Sequence, residues 1–267
     1  MGPLHGIRII EIAGIGPTQF CGMLLADMGA QILRVRRPGA AEPGVDLPDR
    51  FNLMNRGRPT VEVDLKSDRG REFILRLCES ADALFEGFRP GVMERLGLGP
   101  RECMARNGRL VYGRMTGWGQ DGPMANRAGH DTNYIALAGA LHAIGSADRP
   151  PPMPLNLIGD FGGGAMYLVT GLLAALLEAG RSGAGQVVDA AMVDGSASML
   201  TLFYGLMAGG MWTERRESNL LDGGAPFARC YETRDKRFIA VCALETVFFA
   251  SLLRALSIDE IDPAEQY

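Results

Sequence analysis

The chain has 267 residues, 47% hydrophobic and 22% charged, which fits one large globular domain, or one domain and part of a second, and excludes extended disorder. Its net charge of −4 argues against nucleic acid as a partner. The five cysteines (Cys21, Cys78, Cys103, Cys230 and Cys242) are scattered without a Cys-x-x-Cys pair, and there are three histidines, so neither a disulfide framework nor a metal site is expected and a reducing compartment is.

The first forty residues read strand, helix, strand. IRIIEIAG has the β-branched apolar look of a buried parallel strand. GIGPTQFCGMLLADMGA follows as a turn and a helix, with Met23, Leu24 and Met28 on one face, and QILRV is the second strand. Such a βαβ unit implies a right-handed crossover and a parallel sheet. PTVEVDL predicts a strand, and SDRGREFILRLCESA a helix capped by Ser67, with Phe73, Ile74 and Leu77 as its apolar stripe. DALFEGF is the next strand, PGVMERLGLG a short helix opened by Pro90, RLVYGRM another strand, and TGWGQDGPMANRAG a loop. Residues 128–145 and 161–180 read as long buried helices, and GQVVDAAMVDGSASML as a strand running into a helix.

These elements predict a large α/β domain with a parallel sheet over residues 1–213. The polar, turn-rich stretch TERRESNLLDGGAP predicts a linker over 214–226. CYETRDKRFIAVCAL reads as a hairpin turning at Arg234, Asp235 and Lys236, and a helix follows. Residues 227–267 therefore read as the start of a smaller α+β domain, incomplete at its C-terminal side.

Two uncharged stretches, 161–177 and 195–213, approach the length of a membrane span. Both are rich in small residues and lack aromatic belts and a one-sided basic flank, so they read as closely packed core helices and no membrane is expected. The N-terminal MGPLHGIRIIEIAG lacks the basic region and long apolar run of a signal peptide, and a cytoplasmic location is expected.

GIGPTQ, at Gly14–Gln19, only partly matches a dinucleotide fingerprint, because Gln19 stands where a third glycine belongs. The second strand ends in Arg34, Arg36 and Arg37 instead of the acid that would bind the ribose of NAD. Arginines there suit a phosphorylated group such as coenzyme A, or are solvated loop residues. Lys66, Arg89 and Arg95 also follow strands, where the crevice of an open parallel sheet lies.

AGHDTNY and GDFGGG each place a proton-carrying group at the mouth of an apolar segment. A histidine titrates near neutrality, and burial or a neighbouring charge raises a carboxylate toward the same range. His130 and Asp160 are thus candidates for an acid and a base facing each other across a carbon acid. On the residues alone, Asp160 is equally a helix cap, His130 a hydrogen-bonded core histidine, Asp131 a cap of the same helix, and Glu245 a helix-opening acid. Gly162, Gly163 and Gly164 are expected to open a helix whose free N–H groups face a developing oxyanion.

Together GIRIIEIAGIGP, NRGRPTVEVDLKSDRGRE, EGFRPGVMERLGLGP, RMTGWGQDGP, AGHDTNY and GDFGGGAMYLVTGLLAALLEAGRSGAGQVVDAAMVDG resemble the α-methylacyl-CoA racemases, within the family III CoA-transferase superfamily. The resemblance runs from Gly6 to about Leu256, and GHDTNY with GDFGGG is its most specific part. It implies two interlocked subunits, each with a large Rossmann-like domain and a smaller one. It implies a 2-methylacyl-CoA substrate, with no metal and no cofactor, CoA being part of the substrate. It implies catalytic roles for His130, Asp160 and Glu245, the glutamate supporting the imidazole. CoA contacts are implied at Arg37; at Val63, Asp64, Leu65 and Lys66; at Gly87, Phe88 and Arg89; at Arg95; and at Gly129, Asp131, Thr132, Asn133 and Tyr134. Racemases of this family run longer at the C-terminus, so the rest of the small domain is expected to be missing here. A CoA-transferase in which Asp160 attacks the thioester, and a silent acyl-CoA-binding fragment, are the competing readings.

Overall fold

The computed structural model describes residues 2–39 and 47–267. Its contacts fall into two bodies, one running to Ala138 and including Pro154–Met199, the other made of Gly139–Met153 and Leu200–Tyr267.

The first body is built on a six-stranded sheet of β1 (Arg8–Ile12), β2 (Gln31–Arg36), β3 (Thr60–Glu62), β4 (Ala83–Glu86), β5 (Val111–Thr116) and β6 (Val187–Ala191). The strand order is β3-β2-β1-β4-β5-β6 and every pairing is parallel. β4 and β5 are buried along their whole length, as strands covered on both faces must be. Alternate side chains feed two cores. Ile9, Phe85 and Met115 pack with Leu25 of α1 (Pro17–Asp27) and with Leu168 and Leu172 of α6 (Tyr167–Ser182). Ile10, Leu84 and Tyr112 pack with Ile74 of α2 (Asp68–Cys78) and Cys103 of α4 (Pro100–Arg106). The order reverses beside β1: chain order runs outward through β2 on one side and β4 on the other, which opens a crevice at the carboxyl ends of β1 and β4.

Ser67 caps α2 as expected, its hydroxyl accepting from the Gly70 N–H at 3.0 Å. The buried stripe is Gly70, Ile74, Leu75 and Cys78, one position round from the expected one, and Phe73 is exposed. On α1 the buried face is Cys21, Met23 and Leu25, while Met28 is its C-cap. Neither long helix keeps its expected bounds. α5 (Asp131–Ala138) stops at Gly139, whose φ of +94° ends it, and a 3₁₀ turn, Leu141–Ala143, follows. A π-helical stretch, Leu157–Met166, precedes α6. This stretch packs on α7 (Met192–Met199) so tightly that a Cβ on Gly163 would stand 2.6 Å from the Ser196 backbone nitrogen. Leu157–Ser182 is long and apolar enough to cross a membrane, but Leu168, Val169, Leu172, Ala175 and Ala179 are core residues against the sheet.

The second body holds α8 (Thr201–Ala208), which buries no residue, and a hairpin of β7 (Ala228–Glu232) and β8 (Phe238–Cys242) followed by α9 (Thr246–Ala255), with Phe227, Ala243, Phe249 and Leu253 as its core. The hairpin turns at Lys236, with φ +63°. The division differs from the sequence expectation, falling after Met199 rather than after 213 and taking in Gly139–Met153. The expected linker, 214–226, is instead bonded within itself and to the rest of this body. Arg216 donates to the carbonyls of His142, Ser146 and Arg149. Asn219 bridges the Thr213 backbone to Asp222, which also accepts from the Gly224 N–H.

Candidate active site

His130 immediately precedes α5. Its N–H donates to Asn133 Oδ1 at 3.0 Å, and its carbonyl accepts from the backbone N–H groups of Asn133 and Tyr134. This reciprocal capping fixes the backbone and leaves the imidazole exposed on a cavity, so the core-histidine reading does not hold.

Asp160 lies within the π-helical stretch, not at a cap, and is half-buried. Its backbone N–H donates to Asp131 Oδ2 at 2.7 Å, and its Oδ2 accepts from Asn156 Nδ2 at 3.3 Å. Gly16 (φ +50°), just before α1, approaches the same carboxylate: a Cβ there would stand 3.4 Å from Asp160 Oδ2. Burial pushes the Asp160 carboxyl above its ordinary range; the Asn156 bond opposes this, the Asp131 charge adds to it and His130 opposes it.

Both residues line one cavity of about 260 Å³ at the crevice beside β1. Its walls include Pro17 and Thr18 after β1, Gly87, Phe88 and Arg89 after β4, and Trp118, Arg127, Gly129 and Tyr134 after β5. The Trp118 and Tyr134 rings meet edge to face at 4.7 Å. Burial first, then the Asp160 charge, pushes the Tyr134 phenol up to about 12, and its hydroxyl donates to the Gly129 carbonyl.

Of the residues singled out in the sequence, His130, Asp160, Gly87, Phe88, Arg89, Gly129 and Tyr134 therefore meet on one cavity. Asp131 and Asn133 instead hold Asp160 and His130 by their backbones, with Asp131 buried; Thr132 is half-buried beside them. Arg37, Asp64, Lys66 and Arg95 are exposed, Leu65 is half-buried and Val63 is a core residue; none of these lines the cavity. Glu245 belongs to the second body, where it is the exposed N-cap residue of α9 and its carboxylate makes no capping bond. Arg34 is not a solvated or phosphate-facing arginine. It is buried with Arg58 around Glu11, and Arg36 pairs with Glu62 at 2.7 Å. The expected glycine oxyanion site is also corrected: Gly162, Gly163 and Gly164 do not open a helix but lie inside the π-helical stretch, Gly163 and Gly164 as buried packing positions.

Sequence reasoning missed Asn156, Trp118 and Arg127. Asn156 sits four residues before Asp160, a spacing that shares a helical face, and Arg127 three before His130.

The sequence matches the family model described as CoA-transferase family III over residues 4–267. It is 44% identical to the α-methylacyl-CoA racemase of Mus musculus over 96% of this chain, and 42% identical to that of Homo sapiens over 96%. It spans 65% of the length of each. The fold superposes on the crystal structure of a CAIB/BAIF family protein from Brucella suis with a TM-score of 0.82 at 26% identity, covering 100% of this chain and 72% of that one.

Proposed function

Because the chain belongs to CoA-transferase family III, we propose that it epimerises the 2-methyl centre of 2-methylacyl-CoA thioesters, with His130 and Asp160 as the two bases. The observation that carries the proposal is that an imidazole and a carboxyl of raised proton affinity line one small cavity. The identity to two racemases supports the same reaction.

The thioester makes the α-proton acidic enough to remove. One of the two groups takes that proton, and the C–H electron pair passes into an enolate. The other group, holding a proton, returns it to the opposite face, and the two exchange roles in the reverse direction. The upward shift of Asp160 brings its proton affinity closer to that of the imidazole, as a reversible pair requires. Arg89, on the same cavity, faces the CoA phosphates in this proposal, and Arg127 adds a second cation. Glu245 as support for the imidazole, CoA contacts at Arg37, Val63 to Lys66 and Arg95, a homodimer and a cytoplasmic location belong to the same reading. No cofactor is needed, because CoA enters with the substrate.

CoA transfer through an Asp160 acyl anhydride is the second reading, favoured by the family's description. The imidazole sharing the cavity with Asp160 favours epimerisation, since transfer uses the carboxylate alone. Incubating one enantiomer of a 2-methylacyl-CoA with the protein and a free carboxylic acid separates them. Epimerisation without a new thioester supports the racemase, and a new thioester without epimerisation supports transfer.

A further inference from the structure

Three ionisable side chains beside the cavity's β4 loop, Glu86, Arg114 and Glu94, take no part in the two-base chemistry. Glu86 ends β4 and is 1% exposed. Its Oε2 accepts from the Phe88 N–H at 2.7 Å, and its Oε1 stands 3.4 Å from Arg114 Nε on β5. Arg114 Nη2 reaches Glu94 Oε1 at 2.8 Å on α3 (Val92–Arg95). A buried ion pair is a poor stabiliser, because desolvating both charges offsets most of their attraction. A pair of apolar residues would serve the core at least as well. What these polar groups do that apolar residues cannot is bond a loop N–H and tie β4, β5 and α3 to one another. The tied loop, Gly87 to Arg89, is the part of β4's connection that lines the cavity.

We propose that Glu86 is a positioning residue for acyl-CoA binding: anchored by Arg114, it holds the Phe88 N–H and so sets the direction in which Arg89 meets the substrate's phosphates. Arg114 in turn holds α3 through Glu94, the neighbour of Arg95. The inference rests on the acyl-CoA reading given above.

The test is calorimetric titration of CoA into the full chain, at fixed ionic strength because phosphate contacts are salt-dependent. The variants are Glu86→Leu/Arg114→Met, which removes both charges at similar volume, Arg89→Ala, and the three changes combined. The paired replacement is expected to fold and to weaken CoA binding by about tenfold, the size of one lost hydrogen bond. The triple variant is expected to bind as Arg89→Ala does, because Glu86 acts through Arg89. Wild-type affinity in the folded pair variant, or losses that multiply in the triple variant, would overturn the proposal. Hydrogen exchange on the wild type needs no variant to fold: the Phe88 amide is expected to be protected without CoA, and exchange at the unprotected rate would overturn the clamp. Failure of the wild type to bind CoA at all would instead remove the acyl-CoA reading, and the clamp's function with it.

Discussion

Asp131 Oδ2 lies 2.7 Å from the backbone nitrogen of Asp160, 29 residues further along the chain. The two candidate bases are thereby fastened to each other's supports, for Asp131 begins the helix that His130 precedes. Asp131→Ala removes a buried charge-assisted bond, and is expected to cost about 2 kcal/mol in urea unfolding. With Asp160 no longer held in place, α-proton exchange is expected to fall by at least about tenfold. A variant that unfolds at the wild-type urea concentration would show that the bond contributes nothing.

Burial raises the Asp160 carboxyl, and Asn156 limits the rise. Its N–H donates to the charged form and so works against the effect of burial. In the pH profile of kcat/KM for exchange, the acid limb belonging to Asp160 is expected above the ordinary aspartate value of about 3.9. Asn156→Ala is expected to move that limb further up. A downward shift would show that the bond does not act on the carboxylate.

Glu86 makes stability depend on pH. Burial, the largest influence, pushes it up to about 7 from an ordinary 4.5; the Phe88 N–H and Arg114 pull it down and Glu94 pushes it up. Between those values the folded protein holds a proton that the unfolded chain has released. Stability therefore falls as pH rises through this window and levels off above it. Glu86→Gln removes the dependence. Relative to this variant, the wild type is expected to lose on the order of 3 kcal/mol between pH 4.5 and pH 8. Parallel stability curves for the two proteins would contradict the shift.

Gly163 is where the π-helical stretch meets α7. A Cβ there would stand 2.6 Å from the Ser196 nitrogen and 2.8 Å from the Met192 carbonyl oxygen. Both are backbone or closely held atoms, so the helices must part. Gly163→Ala is expected to cost about 1–3 kcal/mol, read as a lowered Tm. An unchanged Tm would show that the contact is loose.

The sheet was legible because β1 and β4 carry the apolar runs Ile9–Ile10 and Ala83–Phe85, and Ser67 announces its helix without tertiary help. His130, Asp160 and the β4 loop were legible because GHD, GDFGGG and EGFRPG are local motifs that the fold gathers at one crevice. The helix around 128–145 was overread, because its apolar residues continue past Gly139 while the backbone turns there. Arg34 was misread because its partner, Glu11, sits on the neighbouring strand, and a strand-end arginine looks the same in sequence whether it faces solvent or a buried acid. The glycines after Asp160 show no geometry in sequence; only the approach of α7 reveals them as packing positions.

The most direct measurement is deuterium uptake at the α-carbon of a single enantiomer of a 2-methylacyl-CoA in D₂O, followed by NMR alongside epimerisation, for the wild type, His130→Ala and Asp160→Ala. Two-base chemistry requires uptake with inversion in the wild type and loss of inversion in both variants. Inversion that survives removal of either residue, or a wild type that takes up no deuterium, would contradict it.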